Sequence, residues 1–264
     1  MIDRNLHKNL KSTLDYFHNK YNKLDFIKDD PISIPHLFTK HQDIEISGYF
    51  ASLFAWGRRS TIINKTSEFI GLMDNEPYAF VMGHKPEDRL RFQNFHHRTF
   101  LPQDIYYFLN FFQQLYSKHE TMEDFFKSEF ELLGDWEKVI LSFYNQFEKI
   151  SGPPGRTVKH ISSPKKGSAC KRLNLFFRWM IRKDEREVDF GIWSDSIPAK
   201  VLFIPLDVHV HRVALKLGLT SIRASNWKST LQITERLREL DRNDPIKYDY
   251  SLFGMGLERR TMMP

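Results

Sequence analysis

The stretch "IPLDVHVHRVALKLGL", residues 204–219, sets an aspartate directly in front of an amphipathic helix. Val210, Val213, Ala214 and Leu217 follow at i, i+3, i+4 and i+7, a single apolar face, and Gly218 is placed to end the helix. Asp207 is well suited to the N-cap, because a carboxylate there accepts hydrogen bonds from the free N–H groups of the first turn. A carboxylate fixed at a helix start is equally suited to be the acid of an active site. The spacing leaves both roles open.

Working outward, most of the chain repeats the helical period. "IDRNLHKNLKSTLDYFHNKYN" spaces Leu6, Leu10, Leu14, Phe17 and Tyr21 along one face. "PISIPHLF" interrupts with two prolines, and "DIEISGYFASLFAWG" resumes. "RRSTIINKTSEFIGLMD", "DIYYFLNFFQQLYSKH" and "DWEKVILSFYNQFEKI" are further amphipathic helices. "TMEDFFKSEF" opens with a capping box, Thr121 with Asp124 three residues on. Strand-like alternation is scarce, so the pattern predicts an all-α protein. The 23 phenylalanines fall at helical spacings and read as core.

A chain of 264 residues, 41% hydrophobic and 27% charged, has a globular composition. No apolar run approaches the ~20 residues of a membrane span. The polar N-terminus lacks a signal core, so a cytoplasmic, nucleoid-associated protein with no membrane partner is expected. The single cysteine, Cys170, excludes an internal disulfide and a four-cysteine metal or iron–sulfur site. A formal charge of +6 favours polyanionic partners mildly.

"SPKKGSACKRLNLFFRWMIRK", residues 163–183, runs from a basic Pro/Gly loop into a helix. Leu173, Phe176, Phe177, Met180 and Ile181 form its apolar stripe, and Lys171, Leu175, Arg178 and Arg182 lie in line off it. Loop amides at a helix N-terminus, reinforced by Lys165, Lys166 and Arg172, suit a phosphate. On that reading the N–H groups from Gly167 through Ser168 to Ala169 face outward. The same loop also reads as a solvated basic turn.

Together, the Pro–Gly loop, the helix opening on a lysine and the downstream "LDVHVHRVALKLGL" resemble the helix-hairpin-helix DNA glycosylase superfamily of the endonuclease III type. Its second signature reads V-D-T-H-V-x-R-V-x-x-R-L-G. Asp207, His209, Val210, Arg212, Val213, Leu217 and Gly218 stand in register with it, while Leu206 and Val208 replace the usual Val and Thr. "YFASLFAWGRRSTIINKT" is similar to the superfamily's early helix pair. With "KYDYSLFGMG", these features resemble a bacterial helix-hairpin-helix family over about residues 45 to 258. The loop has Pro164 and only Gly167 in place of L-P-G-x-G, and the segment from Lys171 to Asp207 is long. Both features look like the archaeal 8-oxoguanine glycosylases.

The resemblance implies a two-lobed helix-hairpin-helix glycosylase fold. Residues 1–44 would hold an N-terminal helix packed on the C-terminal lobe. The central helical lobe would span 45–165. Residues 166–264 would carry the hairpin helix and the catalytic Asp, with a basic cleft between the lobes. It also implies a base-excision activity with AP-lyase character on damaged duplex DNA, carried out by a monomer without cofactor. Lys171 would attack the sugar C1′ and form a Schiff base, while Asp207 stabilises the developing oxocarbenium charge and shuttles a proton. Asp207 would then both cap its helix and act in catalysis. Lys165 and Lys166 remain alternative nucleophiles. The other DNA contacts implied are Lys165, Lys166, Gly167, Ser168, Arg172, His209 and Arg212, with Trp56, Arg58 and Arg59.

Trp56 reads equally as a stacking wedge or as core. "EDRLRFQNFHHRTF", residues 87–100, is either a strand-tracking basic–aromatic segment or a cover with a solvated basic face. Trp179 and Trp193 are candidates to line a base pocket, and Asp249 to reach a base edge or serve the fold. His209 and His211 lack an evident third ligand, so no metal site is expected. Two other readings are a non-catalytic helix-hairpin-helix module that binds DNA or RNA and an enzyme acting on a free nucleoside.

Overall fold

The computed structural model describes residues 4–151 and 155–261. The protein is all-α: 67% is helix, and among the described residues no strand forms beyond an isolated bridge between His97 and Phe100. The chain divides into two compact units, one continuous (Asp29–Ser162) and one assembled from Met1–Lys28 and Ser163–Pro264. The sequence sets the first break at 44/45. The chain instead joins the continuous unit at Asp29, because the proline-led turns Pro31–Ser33 and Pro35–Leu37 pack on the helices that follow them.

The continuous unit contains α2 (His41–Leu53), α3 (Arg59–Gly71), α4 (Pro77–Gly83), α5 (Pro102–Tyr116), α6 (Met122–Leu133), α7 (Trp136–Ser151) and α8 (Gly155–Val158). Its core is phenylalanine. Phe50, Phe54, Phe69, Phe108, Phe112, Phe143 and Phe147 are buried, and many of these rings meet edge-on or tilted. Such pairs add to what area burial alone supplies. The capping box of α6 forms, with Thr121 Oγ1 accepting from the Asp124 amide at 3.0 Å. A second carboxylate strengthens that helix start. Buried Glu45 of α2 accepts from the amides of Met122 and Glu123, each at 2.9 Å, and from the Tyr116 hydroxyl at 2.9 Å.

The discontinuous unit contains α1 (Arg4–Tyr21), α9 (Lys171–Ile181), α10 (Val208–Lys216), α11 (Trp227–Leu240) and α12 (Tyr248–Thr261). Leu14 of the N-terminal stripe is buried, Leu10, Phe17 and Tyr21 are half-buried, and the side chain of Leu6 lies outside the described residues. The packing of α1 on α12 explains a glycine in "KYDYSLFGMG". A Cβ at Gly254 would stand 2.1 Å from the Tyr21 ring. That ring is held near its own backbone and cannot swing away cheaply, so Gly254→Ala should destabilise the protein by about 1–3 kcal/mol. Urea unfolding would read this as a lower midpoint at unchanged slope. An unchanged midpoint would mean that the two helices slide apart freely.

Candidate active site

The amphipathic helix expected after Asp207 is α10, and Asp207 is its N-cap. Its Oδ1 accepts both first-turn amides, from His209 at 2.8 Å and Val210 at 2.9 Å. Its Oδ2 accepts no hydrogen bond among the described residues. One oxygen therefore fixes the helix and the other is left over, so capping does not consume the carboxylate. Gly218, at φ +70°, ends the helix in the left-handed conformation, and the Leu219 amide returns to the Ala214 carbonyl at 2.9 Å. Val210, Val213 and Ala214 are buried, whereas Arg212 is exposed. His211 is buried, with its Nε2 2.9 Å from the Ile222 carbonyl oxygen. That contact gives it a structural partner. His209 is half-buried.

Lys171 is the first residue of α9 and is half-buried, as is Arg172. The residue before it, Cys170, is buried at φ +51°. A left-handed conformation at a non-glycine residue costs about 1–3 kcal/mol and persists only where its surroundings impose it. They do so here. The Cys170 amide donates to Ser168 Oγ at 3.2 Å, its Sγ lies 3.3 Å from the Ser168 carbonyl, and the Ala169 carbonyl accepts from Asn174 Nδ2 at 3.2 Å. The Gly167 carbonyl in turn accepts from the Trp227 amide at 3.0 Å, which ties the loop to the start of α11.

The outward-facing amide cradle expected from Gly167 to Ala169 does not form as such. The Gly167 amide donates to the Pro164 carbonyl at 2.8 Å and the Ser168 amide to the Ser163 carbonyl at 3.3 Å. The loop closes a single 3-10 turn, Pro164–Lys166, and takes up the Lys166, Gly167 and Ser168 amides on its own carbonyls, which gives the turn reading its physical basis. Lys165, Lys166 and Gly167 are exposed on it and Ser168 is half-buried.

The stripe of α9 that carries Lys171 is the main departure from the sequence. Leu173, Phe176, Phe177, Met180 and Ile181 are buried as the period requires, but so are Arg178 and Arg182, the latter only 1% exposed. Acidic groups from the following loop, from α12 and from the turn just before it make this possible. Arg178 Nε donates to Asp189 at 3.2 Å and its Nη1 to Asp249, with the Tyr250 hydroxyl 3.2 Å from Nη2. Arg182 reaches Asp184 at 2.6 Å, Asp189 at 2.9 Å and Asp244 at 2.9 Å. Asp207 is near enough to Asp249 for its charge to disfavour ionisation there. Two arginines one turn apart with acids downstream are a signal present in the sequence, but periodicity places them only off the apolar stripe.

The remaining candidates divide by burial. Trp179 and Trp193 are fully buried, with Trp193 edge-on to Phe176, and so belong to the core rather than to a pocket wall. Trp56, in the turn between α2 and α3, is 54% exposed, which rules out the core alternative. The Arg98 guanidinium stands 5.6 Å from its ring centroid and occupies the space a Cβ on Gly57 would need, 2.4 Å away, at a backbone φ of +129°. Arg58 is exposed, and Arg59 turns back to Asp30 at 3.4 Å. In the segment 87–100, Phe92, Phe95 and Phe100 are buried, while Arg89 donates to Asn110 at 2.7 Å and Arg91 to Asp74 at 2.6 Å. It is a cover over the phenylalanine core.

A family model described as "Protein of unknown function (DUF2400)" matches residues 30–258, and the chain belongs to that family. No curated protein and no solved structure matches it significantly. Among the described residues no three His, Cys, Asp or Glu side chains converge in a way that could hold a metal ion, and no helix is long and apolar enough to cross a membrane.

Proposed function

We propose that this protein is a DNA-repair glycosylase with AP-lyase activity, built on the two-lobed helix-hairpin-helix glycosylase fold. It excises an oxidised purine such as 8-oxoguanine from duplex DNA in the cytoplasm as a monomer. The observation that carries this reading is that the helix opened by Lys171 holds Asp249 through Arg178, and Asp249 lies within electrostatic reach of Asp207. Lys171 and Arg178 are seven residues apart on one face of α9, about 10 Å along the axis. Arg178 grips Asp249, and Asp249 senses the charge of Asp207. Side chains on a helix lean toward its N-terminus, which directs Arg178 back toward the level of Lys171.

The chemistry follows from the residue types. A neutral Lys171 amine attacks C1′ of the damaged nucleotide, the bond from C1′ to the base breaks, and its electrons leave with the base. The Asp207 carboxylate, with Oδ2 to spare, stabilises positive charge at C1′ and takes the proton that the new C1′–ammonium nitrogen releases. The nitrogen lone pair then forms the C1′–N double bond as the C1′–O4′ bond breaks, and the proton held by Asp207 passes to O4′, which gives the Schiff base. The internally satisfied amides of Gly167 and Ser168 count against a module whose sole task is to hold phosphate in that loop. Borohydride reduction in the presence of duplexes each carrying one lesion tests the reading, since it traps the protein covalently only on the lesion it processes. No trapping and no base release on any lesion would refute it.

Trp56 supplies the stacking surface in this scheme. Because it is exposed, Trp56→Ala should change stability by no more than about 0.5 kcal/mol. It should still weaken duplex binding, since a base–aromatic stack contributes about 1–3 kcal/mol, or roughly 5- to 150-fold in affinity. Fluorescence anisotropy with a lesion duplex measures this, and unaltered affinity would remove Trp56 from the DNA-binding set.

A further inference from the structure

Asp249 stands at the start of α12 and is 4% exposed. Its Oδ2 is taken by Arg178, but its Oδ1 is buried without a hydrogen-bond partner among the described residues. A buried ionised carboxylate with one bare oxygen is costly. The charge around it adds to that cost. Asp184, Asp189, Asp244 and Asp249 surround two guanidinium groups, Arg178 and Arg182, so acids outnumber bases two to one. The other three have their oxygens engaged. Asp189 takes Arg178, Arg182 and the Tyr250 hydroxyl, Asp244 takes Arg182 through both oxygens, and Asp184 takes Arg182, Asn22 and the Arg186 amide. A single proton would halve the excess, and Asp249 Oδ1 is the carboxylate oxygen left bare to receive it.

We propose that Asp249 is a positioning residue whose Oδ1 takes up and releases a proton, and that in the protonated form Asp207 alone carries the negative charge at the start of α10. Its role in catalysis rests on the glycosylase reading, whereas the placement of the proton does not. Burial and the charge of Asp207 push the Asp249 carboxyl up to about 6 against the pull of Arg178, with Asp189 adding to the push. From α12 itself, the Tyr250 hydroxyl donates to Asp189 rather than to Asp249. From α1, burial and the neighbouring Arg182 guanidinium hold His18 down to about 4, so it brings no charge at the pH where Asp249 titrates. From α10, the ring of His211 is engaged by the Ile222 carbonyl. The device fits the chemistry proposed. On that reading, removing one of two carboxylate charges from the site leaves a lysine amine there easier to free as the neutral nucleophile.

A carbon-13 titration of the full chain, labelled at aspartate, tests this without reference to DNA. The Asp249 carboxyl carbon, assigned through the backbone of the unaltered protein, should titrate near 6. In Asp207→Asn, which keeps the cap, its midpoint should fall by on the order of one unit. A midpoint among ordinary carboxylates, or one that ignores Asp207→Asn, overturns the proposal. Asp249→Asn mimics the protonated acid and supplies the second measurement. Trapping should persist in it, with the inflection near 6 lost from the pH profile, while its abolition at every pH would show that the ionised form is required and overturn the proposal. If the parent itself traps on no lesion, the glycosylase reading falls and the titration still decides the placement of the proton.

Discussion

Lys171→Gln should abolish the borohydride-trapped complex, and Asp207→Asn should lower base release by about 10²- to 10⁴-fold while leaving duplex affinity nearly unchanged. The two losses differ in kind. Glutamine keeps most of the length of lysine, but its nitrogen lone pair is delocalised into the carbonyl and cannot form a Schiff base at C1′, so the covalent species disappears entirely, and slow base release by water can survive. Asparagine keeps the oxygen that accepts from the His209 and Val210 amides, so α10 remains capped and the fold is disturbed by a few tenths of a kcal/mol at most. What it removes is the charge, including that of the unengaged oxygen. Stability measured alongside activity therefore separates the two roles of Asp207. A free lysine has a pKa of ~10.4, so the parent requires its amine to be neutral in a minority state that the site must enrich. If Lys171→Gln traps as well as the parent, the nucleophile is elsewhere, and Lys165→Gln and Lys166→Gln become the next variants to test.

The periodic elements were legible in the sequence because burial on one face leaves a regular trace. The stripe of α9, the cap and C-terminal glycine of α10 and the capping box of α6 follow from residue spacing alone. Periodicity cannot report a polar residue whose partner comes from far along the chain. Arg178 and Arg182 lie off the apolar stripe, and only the folding of Asp244 and Asp249 back onto α9 turns that side inward. Glu45 has the same character, an acid amid apolar neighbours whose purpose lies at the start of α6, nearly eighty residues on. The loop at Gly167 misled in the other direction. A Pro–Lys–Lys–Gly sequence offers amides to a phosphate and to its own 3-10 turn equally well, and the turn, closing locally, took them. Trp56 shows what composition leaves undecided, since its exposure depends on the sharp turn at Gly57 and on Arg98, which comes to lie over the ring.

The largest stability effect should come from Arg182→Met. Arg182 is buried and bonded to Asp184, Asp189 and Asp244, so methionine fills its volume but leaves three carboxylates without their shared cation. Removing one partner of a buried ion pair costs about 3–5 kcal/mol, a large share of the roughly 5–15 kcal/mol that holds a domain together. Arg182→Lys, which keeps the charge but not the planar fork, should fall between parent and methionine variant. The pH dependence identifies the cause. In the parent, burial raises and Arg182 lowers the Asp184 carboxyl, with the net shift downward, so its contribution is present at neutral pH and is lost on acidification. Asp249 acts in the opposite sense. Its carboxyl is raised to about 6, so the folded state takes up its proton first and gains relative stability as pH falls from 6 toward 4. In the methionine variant the uncompensated acids should also protonate in the folded state, which removes the penalty that the substitution creates. Urea unfolding of both proteins at pH 7 and pH 4.5 should therefore show a wide gap at the higher pH and a narrow one at the lower. A gap of equal width at both would mean that methionine damages packing rather than charge, and the buried network would then be an effect of the fold instead of one of its supports.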